Sequence, residues 1–444
     1  MNLTNLAYLN LHSNFLHGKL ELDTFLNLKK LVFLDLSFNK LSLLSGNNSS
    51  HLTNSGLQIL QLAECNLVEI PTFIRDLAEM EFLTLSNNNI TSLPEWLWKK
   101  ARLKSLDVSH SSLTGEISPS ICNLKSLVML DFTFNNLGGN IPSCLGNFSQ
   151  PLESLDLKDL PELKVLSLGN NEFHGDVRCS GNMTCTFSKL HIIDLSHNQF
   201  SGSFPTEMIQ SWKAMNTFNA SQLQYESYST SNNEGQYFTS TEKFYSLTMS
   251  NKGVAMVYNN LQKIYNLIAI DISSNKISGE IPQGIGELKG LVLLNFSNNL
   301  LIGSIQSSLG KLSNLEALDL SVNSLSGKIP QQLAQITFLQ FLNLSFNNLT
   351  GPIPQNNQFS TFKGDSFEGN QGLCGDQLLK KCIDHGGPST SDDDDDDEDS
   401  GSLFEFDWKI VLIGYGGGLV AGMAVGSTFF LQVLSWLKKK DLMS

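Results

Sequence analysis

The side chains best suited to chemistry in this sequence are eight histidines and seven cysteines, and their spacing decides what they can do. The histidines are scattered, with no metal-ligand spacing and no nucleophile motif among them. Three of them, His12, His110 and His197, occupy variable positions of a repeat, where a polar surface is the ordinary explanation. There is no phosphate loop and no basic patch for nucleic acid. The sequence therefore predicts a protein that is not an enzyme and that holds neither a metal nor a cofactor.

The longest run of one charge is DDDDDDED, Asp392 to Asp399. Its eight carboxylates account for −8 of the chain's net charge of −14. Such a run could bind a cation, but it lacks the interleaved glycine and turn residues of a cation-binding loop. We interpret residues 385–407 as a solvated acidic linker beside a membrane.

The segment from Ile410 to Leu437 contains no charged residue, and about 20 apolar residues are enough to span a bilayer. We therefore predict a transmembrane helix over residues 408–437. Three lysines follow at once, Lys438 to Lys440, so the positive-inside rule places residues 438–444 in the cytosol and the preceding chain outside. We expect no kinase or other signalling domain in this tail.

Glycine recurs at every fourth residue inside this segment, at Gly414, Gly418, Gly422 and Gly426. The four lie along one face of the predicted helix and form three overlapping G-x-x-x-G steps, which let a second helix approach closely. The plainer reading is that glycine is common in membrane helices. Three steps in register favour a contact with a partner helix.

A repeat organises the rest of the chain and must position any binding residue. Four copies, LIAIDISSNKISGEIPQ, LVLLNFSNNLLIGSIQ, LEALDLSVNSLSGKIPQ and LQFLNLSFNNLTGPIPQ, place their asparagines at equal intervals, at Asn275, Asn299, Asn323 and Asn347. The pattern L-x-x-L-x-L-x-x-N is that of a leucine-rich repeat, whose coils stack into a solenoid. The leucines form a short strand with alternate side chains inward. The asparagines pair backbone groups at the turn and stack as a ladder.

The same frame appears less strictly in the earlier chain. It occurs at Leu6–Asn14, Leu31–Asn39, Leu57–Cys65, Met80–Asn88, Leu103–Ser111, Leu127–Asn135, Leu163–Asn171 and Leu190–Asn198. Cys65 and Ser111 stand at the ladder position, and both are small enough for it. Residues 1–206 and 266–355 are thus predicted to be repeats, an α/β solenoid that forms an arc with parallel strands on its concave face.

The period breaks twice. Two frames start only eleven residues apart within residues 152–163, so no complete coil fits there. Either whole coils have been lost or the chain bulges locally. The second break is an insert over residues 207–265 that is rich in serine, threonine, asparagine and tyrosine. It is either a spacer or part of a ligand surface, with Tyr225, Tyr228, Tyr237 and Tyr245 as the candidate contacts.

Several segments together resemble one family. Glycine and proline follow most ladder positions, as in LTGEISP and LGGNIPS, which is typical of plant-specific leucine-rich repeats. The insert lies four coils before the end, YSLTMSNKG resembles the closing segment of the plant receptor "island", and residues 356–384 resemble the C-terminal cap of those receptors. With the acidic linker, the glycine-rich helix and the short basic tail, the chain resembles the plant receptor-like proteins, and more narrowly the Cf-type resistance proteins and the receptors for fungal xylanase.

The resemblance implies a cell-surface receptor at the plasma membrane, in single-pass type I orientation with extracellular repeats. Such receptors recognise microbial or peptide ligands in plant defence and signal through a leucine-rich-repeat receptor kinase bound by the membrane helix and a co-receptor kinase. Carried over, the kinase contact falls on the four glycines. The co-receptor contact falls on residues expected to be exposed, namely Asp271, Asp319 and Ser321. The resemblance also implies a Cys374–Cys382 disulfide in the cap.

Exported proteins carry disulfides and glycans, and the sequence offers both. Cys122 with Cys144 and Cys179 with Cys185 are further candidate pairs, although pairing cannot be deduced from sequence alone. The N-x-S/T sequons are at Asn2, Asn47, Asn48, Asn89, Asn147, Asn182, Asn219, Asn295, Asn343 and Asn348. Asn295 and Asn343 are expected on the concave strands.

The start of the chain conflicts with export, because Met1 already lies inside a repeat with no signal peptide. Taken literally, the chain would be tail-anchored with cytosolic repeats. We expect instead that the chain is N-terminally truncated. Two other functions remain open beside the receptor: a truncated, non-signalling isoform that competes for the kinase, and a wall-associated binder like the polygalacturonase inhibitors.

Overall fold

The computed structural model describes residues 5–22, 25, 28–44, 56–145, 160–176, 187–204, 206–216, 229–231, 237–239, 246–251, 253–259 and 267–382. They all belong to the first of two compact units, Met1–Ile383, and the second unit is Asp384–Ser444. The predicted membrane helix, acidic linker and tail lie outside the described residues. Among the residues that are described, no helix is both long and apolar enough to cross a bilayer.

Every predicted frame contributes one strand to a single parallel sheet, here called the long sheet. Its twelve strands, in spatial order, are β1 (Tyr8–Asn10), β3 (Phe33–Asp35), β5 (Ile59–Gln61), β6 (Phe82–Thr84), β7 (Ser105–Asp107), β9 (Met129–Asp131), β11 (Val165–Ser167), β13 (Ile192–Asp194), β19 (Ala269–Asp271), β21 (Leu293–Asn295), β23 (Ala317–Asp319) and β25 (Phe341–Asn343). The central residue of each strand points inward, so Leu106, Leu130 and Leu318 are fully buried. The leucine-rich repeat solenoid is therefore confirmed.

A second parallel sheet, which the sequence did not predict, lies after the ladder positions. It contains β8 (Thr114–Glu116), β10 (Asn136–Gly139), β12 (Glu172–Asp176), β14 (Gln199–Ser203), β20 (Lys276–Glu280), β22 (Leu300–Ser304), β24 (Ser324–Lys328), β26 (Asn348–Pro352) and β27 (Gly372–Cys374). Gly279, Gly303 and Gly327 have positive φ, but the flanking residues pair with the neighbouring coils.

Short helical turns carry the chain back between the two sheets. One α-helix, α1 (Thr206–Ser211), follows β14. The 3₁₀ turns span Thr72–Asp76, Glu95–Lys99, Pro119–Asn123, Ser143–Leu145, Lys213–Met215, Gln283–Glu287, Ser307–Lys311, Gln331–Gln335, Asn357–Thr361 and Gly364–Phe367. Their buried members, such as Leu309 and Leu333, join the leucines of the long sheet in one continuous core.

Three small two-stranded sheets complete the described fold. β2 (His17–Glu21) and β4 (Lys40–Leu44) are parallel. β15 (Ser229–Ser231) pairs antiparallel with β16 (Tyr237–Thr239). β17 (Ser246–Asn251) pairs antiparallel with β18 (Val254–Asn259), and we call this last pair the island hairpin.

The asparagine ladder forms as predicted. The Asn135 amide donates to the carbonyl of Val108 in the preceding coil at 2.9 Å and to Phe132 and Thr133 in its own coil. Its Oδ1 accepts the N–H of Leu113 at 2.9 Å. Cys65 takes the same place, with its Sγ donating to Leu36 and Ala63. These rungs thus satisfy backbone groups that the turn would otherwise leave buried and unpaired.

The ladder crosses both breaks in the period without interruption. Asn171 donates to the carbonyl of Phe132 at 2.8 Å, and β9 pairs directly with β11. Asn275 donates to the carbonyl of Leu195 at 2.9 Å, and β13 pairs directly with β19. The coils on either side of each break are therefore adjacent in the stack.

Candidate functional site

The outward face of the long sheet is a regular surface to which every coil contributes one strand. Because side chains alternate along a strand, the first and third residues of each strand point away from the core. The first residues form one row, which we call the apolar row: Tyr8, Phe33, Ile59, Phe82, Ser105, Met129, Val165, Ile192, Ala269, Leu293, Ala317 and Phe341. Eleven of its twelve members are apolar or aromatic, and most of them are buried within the chain.

The island hairpin covers part of the apolar row. Leu247 and Met249 of β17 are 1% and 2% exposed and pack in one cluster with Met129, Ile192 and Leu293. The cluster draws on coils from both sides of the insert. The hairpin therefore binds the two halves of the array to each other.

The turn of the hairpin extends toward the last coil. A Cβ built on Gly253, which has a φ of +74°, would lie 3.6 Å from the ring of Phe341. Val254 and Met256 share the face of Leu247 and Met249 but are 64% and 43% exposed. The apolar face of the hairpin is thus buried on one strand and accessible on the other.

A second cluster occupies the row near its first strands. Phe33, Ile59 and Phe82 are buried together, and Tyr8 stacks on Phe33 with 4.1 Å between ring centroids. The two clusters are separated by Ser105 on β7. The row is therefore divided into an aromatic part and a part covered by the hairpin.

The third residues of the strands form a polar row, which we call the carboxylate row. Its members are Asn10, Asp35, Gln61, Thr84, Asp107, Asp131, Ser167, Asp194, Asp271, Asn295, Asp319 and Asn343. It contains no lysine or arginine. Each carboxylate accepts the N–H of the residue two positions on, as Asp194 does from Ser196 at 2.9 Å and Asp319 from Ser321 at 3.0 Å.

Several carboxylates of this row have a pKa above the usual range because they are buried. Burial is the largest cause that raises the pKa of Asp107, Asp131, Asp194 and Asp271, and the charge of Asp107 raises that of Asp131 further. The pKa of Asp271 rises to about 7, with the charge of Asp194 as the second cause. Hydrogen bonds from the serine or threonine two residues on oppose these shifts without cancelling them.

A rim of left-handed residues follows the carboxylate row. Phe134, Val322 and Phe346 have φ between 53° and 55° and are exposed. His110 stacks on Phe134 with 4.2 Å between ring centroids. Val322 is the unusual member, because its β-branched side chain is strongly disfavoured at positive φ.

The three residues predicted to contact a co-receptor lie on this face. The prediction that they are exposed is wrong for two of them. Asp271 is fully buried and Ser321 is 5% exposed, while Asp319 is partly buried. The reason is that each carboxylate packs against its neighbours at the strand spacing and accepts bonds from its own coil. On the rim beside these residues, Val322 and Phe346 are exposed.

Other predicted sites fall partly outside the described residues. This applies to Tyr225, Tyr228 and Tyr245, to the four glycines of the membrane segment, and to Cys179 and Cys185. It also applies to the sequons at Asn2, Asn47, Asn48, Asn147, Asn182 and Asn219. Tyr237 begins β16, and its side chain is not described.

Two predicted disulfides are present in the structure. Cys122 and Cys144 are bonded with a Cα–Cα distance of 5.6 Å, and Cys374 and Cys382 with 5.0 Å. Cys65 is a buried free thiol, and desolvation raises its pKa to about 12. Among the described residues no group of acidic, histidine and cysteine side chains could hold a metal ion.

The described sequons are of two kinds. Asn89 and Asn348 are exposed residues directly after ladder positions. Asn295 and Asn343 belong to the carboxylate row and are partly buried, as expected for residues of the strand face. The Oδ1 of Asn295 accepts the Ser297 hydroxyl at 2.8 Å, and that of Asn343 accepts the Ser345 hydroxyl at 2.7 Å.

Sequence reasoning missed the docking of the island hairpin onto the sheet. The signal was present in SLTMSNKGVAMVYN, where apolar residues alternate on both sides of a Lys-Gly turn, which is the pattern of a β-hairpin. The second sheet was missed because its strands are polar on one side and glycine-containing, and such strands read as turns.

This fold and its strand-lined face define a leucine-rich repeat protein. The family model described as Leucine Rich Repeat matches residues 79–99, 102–124, 126–148, 189–210, 266–288, 314–336 and 338–369. Receptor-like protein 54 of Arabidopsis thaliana is 34% identical over 510 residues, which cover 91% of this chain and 63% of that relative. Receptor like protein 22 of Arabidopsis thaliana is 48% identical over 291 residues, which cover 64% of this chain and 35% of that relative.

The chain belongs to the plant receptor-like protein family of leucine-rich repeat proteins. The chain spans less than two thirds of the length of each of these relatives.

Solved structures of plant receptors share the fold. The leucine-rich repeat ectodomain of the membrane receptor kinase GASSHO1/SCHENGEN3 from Arabidopsis thaliana, in complex with CASPARIAN STRIP INTEGRITY FACTOR 2, is 30% identical with a TM-score of 0.55. The similarity covers 86% of this chain and 43% of that one. A PEPR1–AtPEP1 complex is 27% identical with a TM-score of 0.56 and covers 84% of this chain and 41% of that one.

Proposed function

We propose that this chain is part of a cell-surface receptor that recognises an extracellular microbial or peptide ligand in plant defence. The observation that carries the proposal is the parallel strand face that runs through all twelve coils, with Phe134, Val322 and Phe346 exposed along its rim. Two solved ectodomains with the same fold are complexes with AtPEP1 and with CASPARIAN STRIP INTEGRITY FACTOR 2. The repeats lie outside the cell, and Ile410 to Leu437 anchor the chain in the plasma membrane.

The signal leaves the receptor through partner kinases. The glycine face formed by Gly414, Gly418, Gly422 and Gly426 binds the membrane helix of a leucine-rich-repeat receptor kinase, because small side chains let two helix backbones approach. A co-receptor kinase contacts the last coils. Val322 and Phe346 supply accessible apolar area there, beside the partly buried Asp319.

The membrane contact is tested by co-purification from plant membranes. The double change Gly418→Leu and Gly422→Leu places two large side chains on the proposed face, and we expect the kinase yield to fall at least tenfold. Val420→Leu and Ala424→Leu enlarge two side chains on the opposite side of the helix and should leave the yield unchanged. Equal kinase recovery with both double variants contradicts this part of the proposal.

Ligand recognition is tested on the same cells. Fractionated fungal and bacterial culture filtrates are applied, and recruitment of a second kinase to the tagged chain is measured. A fraction that recruits this kinase with the wild-type chain should fail with Val322→Asp/Phe346→Asp, because two charges then replace the apolar rim. Val68→Asp, at another exposed valine, is the matched control.

Removal of N-glycans from the membrane fraction tests the orientation. A mobility shift corresponding to several glycans places the repeats in the secretory lumen. An unshifted chain leaves them in the cytosol and excludes the receptor proposal for this chain.

A further inference from the structure

Six side chains on the outward face of the long sheet are buried although they point away from the core. Each belongs to the apolar row and is at most 4% exposed. A side chain on the outer face of a sheet is flanked by its neighbours on adjacent strands, but its tip is shielded only by something that lies above the sheet. These six positions therefore have a cover. They lie on consecutive strands and are Met129, Val165, Ile192, Ala269, Leu293 and Ala317.

The island hairpin supplies the described part of this cover. Leu247 and Met249 lie two residues apart on β17, so both point to the same side of the hairpin. They are 1% and 2% exposed and form one cluster with the six row members. Tyr258, opposite Leu247 on β18, packs partly buried against the same cluster. The contact with the sheet is thus made by one face of the hairpin.

The hairpin is attached to the sheet through side chains. Its two strands pair with each other along their whole length, but among the described residues no backbone hydrogen bond links either strand to the long sheet. The coils beneath it are joined by strand pairing in two sheets and by one continuous core. A segment held by few apolar contacts opens at a lower free energy than a stacked core.

The second strand of the hairpin contributes little to this attachment. Val254 and Met256 share the face of Leu247 and Met249, yet they are 64% and 43% exposed. Apart from the approach of Gly253 to the last strand, the contact is therefore concentrated on one strand. Release of two buried side chains frees most of the hairpin from the sheet.

We propose that the island hairpin is a detachable cover of the apolar row, which opens as a unit while the coils remain folded. In the closed state Leu247 and Met249 withhold the row from other molecules. In the open state the row is accessible at Met129, Ile192 and Leu293. The hairpin is thus an autoinhibitory contact built into the insert, and this inference does not depend on the receptor function proposed above.

Methionine oxidation by dilute hydrogen peroxide tests the proposal, because sulfoxide formation on a thioether requires access. Four methionines are equally buried in the closed state: Met129 and Met249 lie in the hairpin contact, and Met80 and Met215 lie in the core. The full-length chain is treated at one pH, and each methionine is quantified by peptide mass spectrometry. We expect the contact pair to react at least tenfold faster than the core pair, and the exposed Met256 to react fastest.

Variants of the hairpin show whether it is the cover. Leu247→Asp/Met249→Asp places two charges in the contact, so Met129 should react at least tenfold faster than in the wild type. Val254→Asp/Met256→Asp places the same charges on the exposed strand and should leave the rate at Met129 unchanged. Leu247→Ala/Met249→Ala weakens the contact without a charge and should give an intermediate rate. This milder variant decides the matter if the aspartate variant exposes the core methionines and is therefore unfolded.

Three outcomes overturn the proposal. If Met129 and Met249 react as slowly as Met80 and Met215 in the wild type, the hairpin is an integral part of the core. If Met129 reacts at the wild-type rate in both variants of Leu247 and Met249, the hairpin is not what covers the row. If the core methionines accelerate together with Met129, the whole array opens and the hairpin is not a separate unit.

Discussion

Asn295 donates a hydrogen bond from its Nδ2 to Oδ2 of Asp271 across neighbouring strands, at 3.1 Å. Asn295 occupies the next position of the carboxylate row after Asp194 and Asp271. An aspartate there would have placed a third carboxylate beside those two. The last four members of the row alternate aspartate with asparagine, and the pKa of Asp319 is raised by burial without a charged neighbour among its causes. At this end of the carboxylate row, uncharged asparagines separate the aspartates. At its centre, aspartates are adjacent and hold their protons to higher pH.

The stability of the protein should fall as pH rises through this region. The unfolded pKa of Asp271 is about 4 and the folded pKa is about 7, so between these values the folded state holds a proton that the unfolded chain has lost. The free energy of unfolding should decrease by at most about 4 kcal/mol from pH 4 to pH 7. Denaturant midpoints at constant ionic strength measure this decrease, and Asp271→Asn should flatten the curve. A midpoint that rises over this interval in the wild type contradicts the assignment.

Removing one rung of the asparagine ladder should destabilise the array locally. Asn299 donates to the carbonyls of Ile272, Phe296 and Ser297, and its Oδ1 accepts the N–H of Ile277 at 3.0 Å. Asn299→Ala leaves these buried groups without a partner, at a cost of about 3 kcal/mol. Amide exchange should accelerate most in β19 and β21. Asn314→Ala, which removes a single exposed bond to Lys289, is the control and should cost less than about 1 kcal/mol.

Completing the ladder at its weakest rung should stabilise the protein. The hydroxyl of Ser111 is buried at a ladder position and has no hydrogen-bond partner among the described residues. Ser111→Asn supplies the donor and acceptor that Asn88 and Asn135 provide on either side, and we expect a gain of about 1 kcal/mol. The thermal unfolding midpoint measures the gain. The neighbouring change Ser112→Asn should give none, and an equal shift in both variants would point to a general effect of asparagine.

Relieving the backbone at Val322 should also stabilise the protein. Its φ of 53° costs a β-branched residue about 1–2 kcal/mol, and asparagine tolerates this conformation much better. Val322→Asn should therefore raise the unfolding free energy by about 1 kcal/mol. Val68→Asn, at an exposed valine outside the left-handed positions, should leave it unchanged. If Val322→Asn also reduces kinase recruitment by an active culture fraction, the strained residue serves binding at the expense of stability.

The repeat fixes most of what could be predicted from sequence. The positions of Asn275 to Asn347 locate the strands, the ladder and the inward leucines, because each follows from a constant offset within the coil. Burial on the outward face does not follow from that offset. Asp271 and Ser321 were expected to be exposed, and they are buried because a coil places its neighbours at strand spacing and its own backbone within hydrogen-bond reach. Contacts between Met249 and Ile192 join parts of the chain that no local pattern connects.

The continuity of the ladder across both breaks has a consequence for how such chains diversify. Asn171 and Asn275 bond to the preceding coil in the same way as every regular rung, regardless of how many residues intervene. A longer loop costs only about 0.6 kcal/mol per doubling of its length. Sequence can therefore be added or exchanged at these two joints while the stack keeps its register. New binding segments can therefore arise at these joints without changes in the repeats on either side.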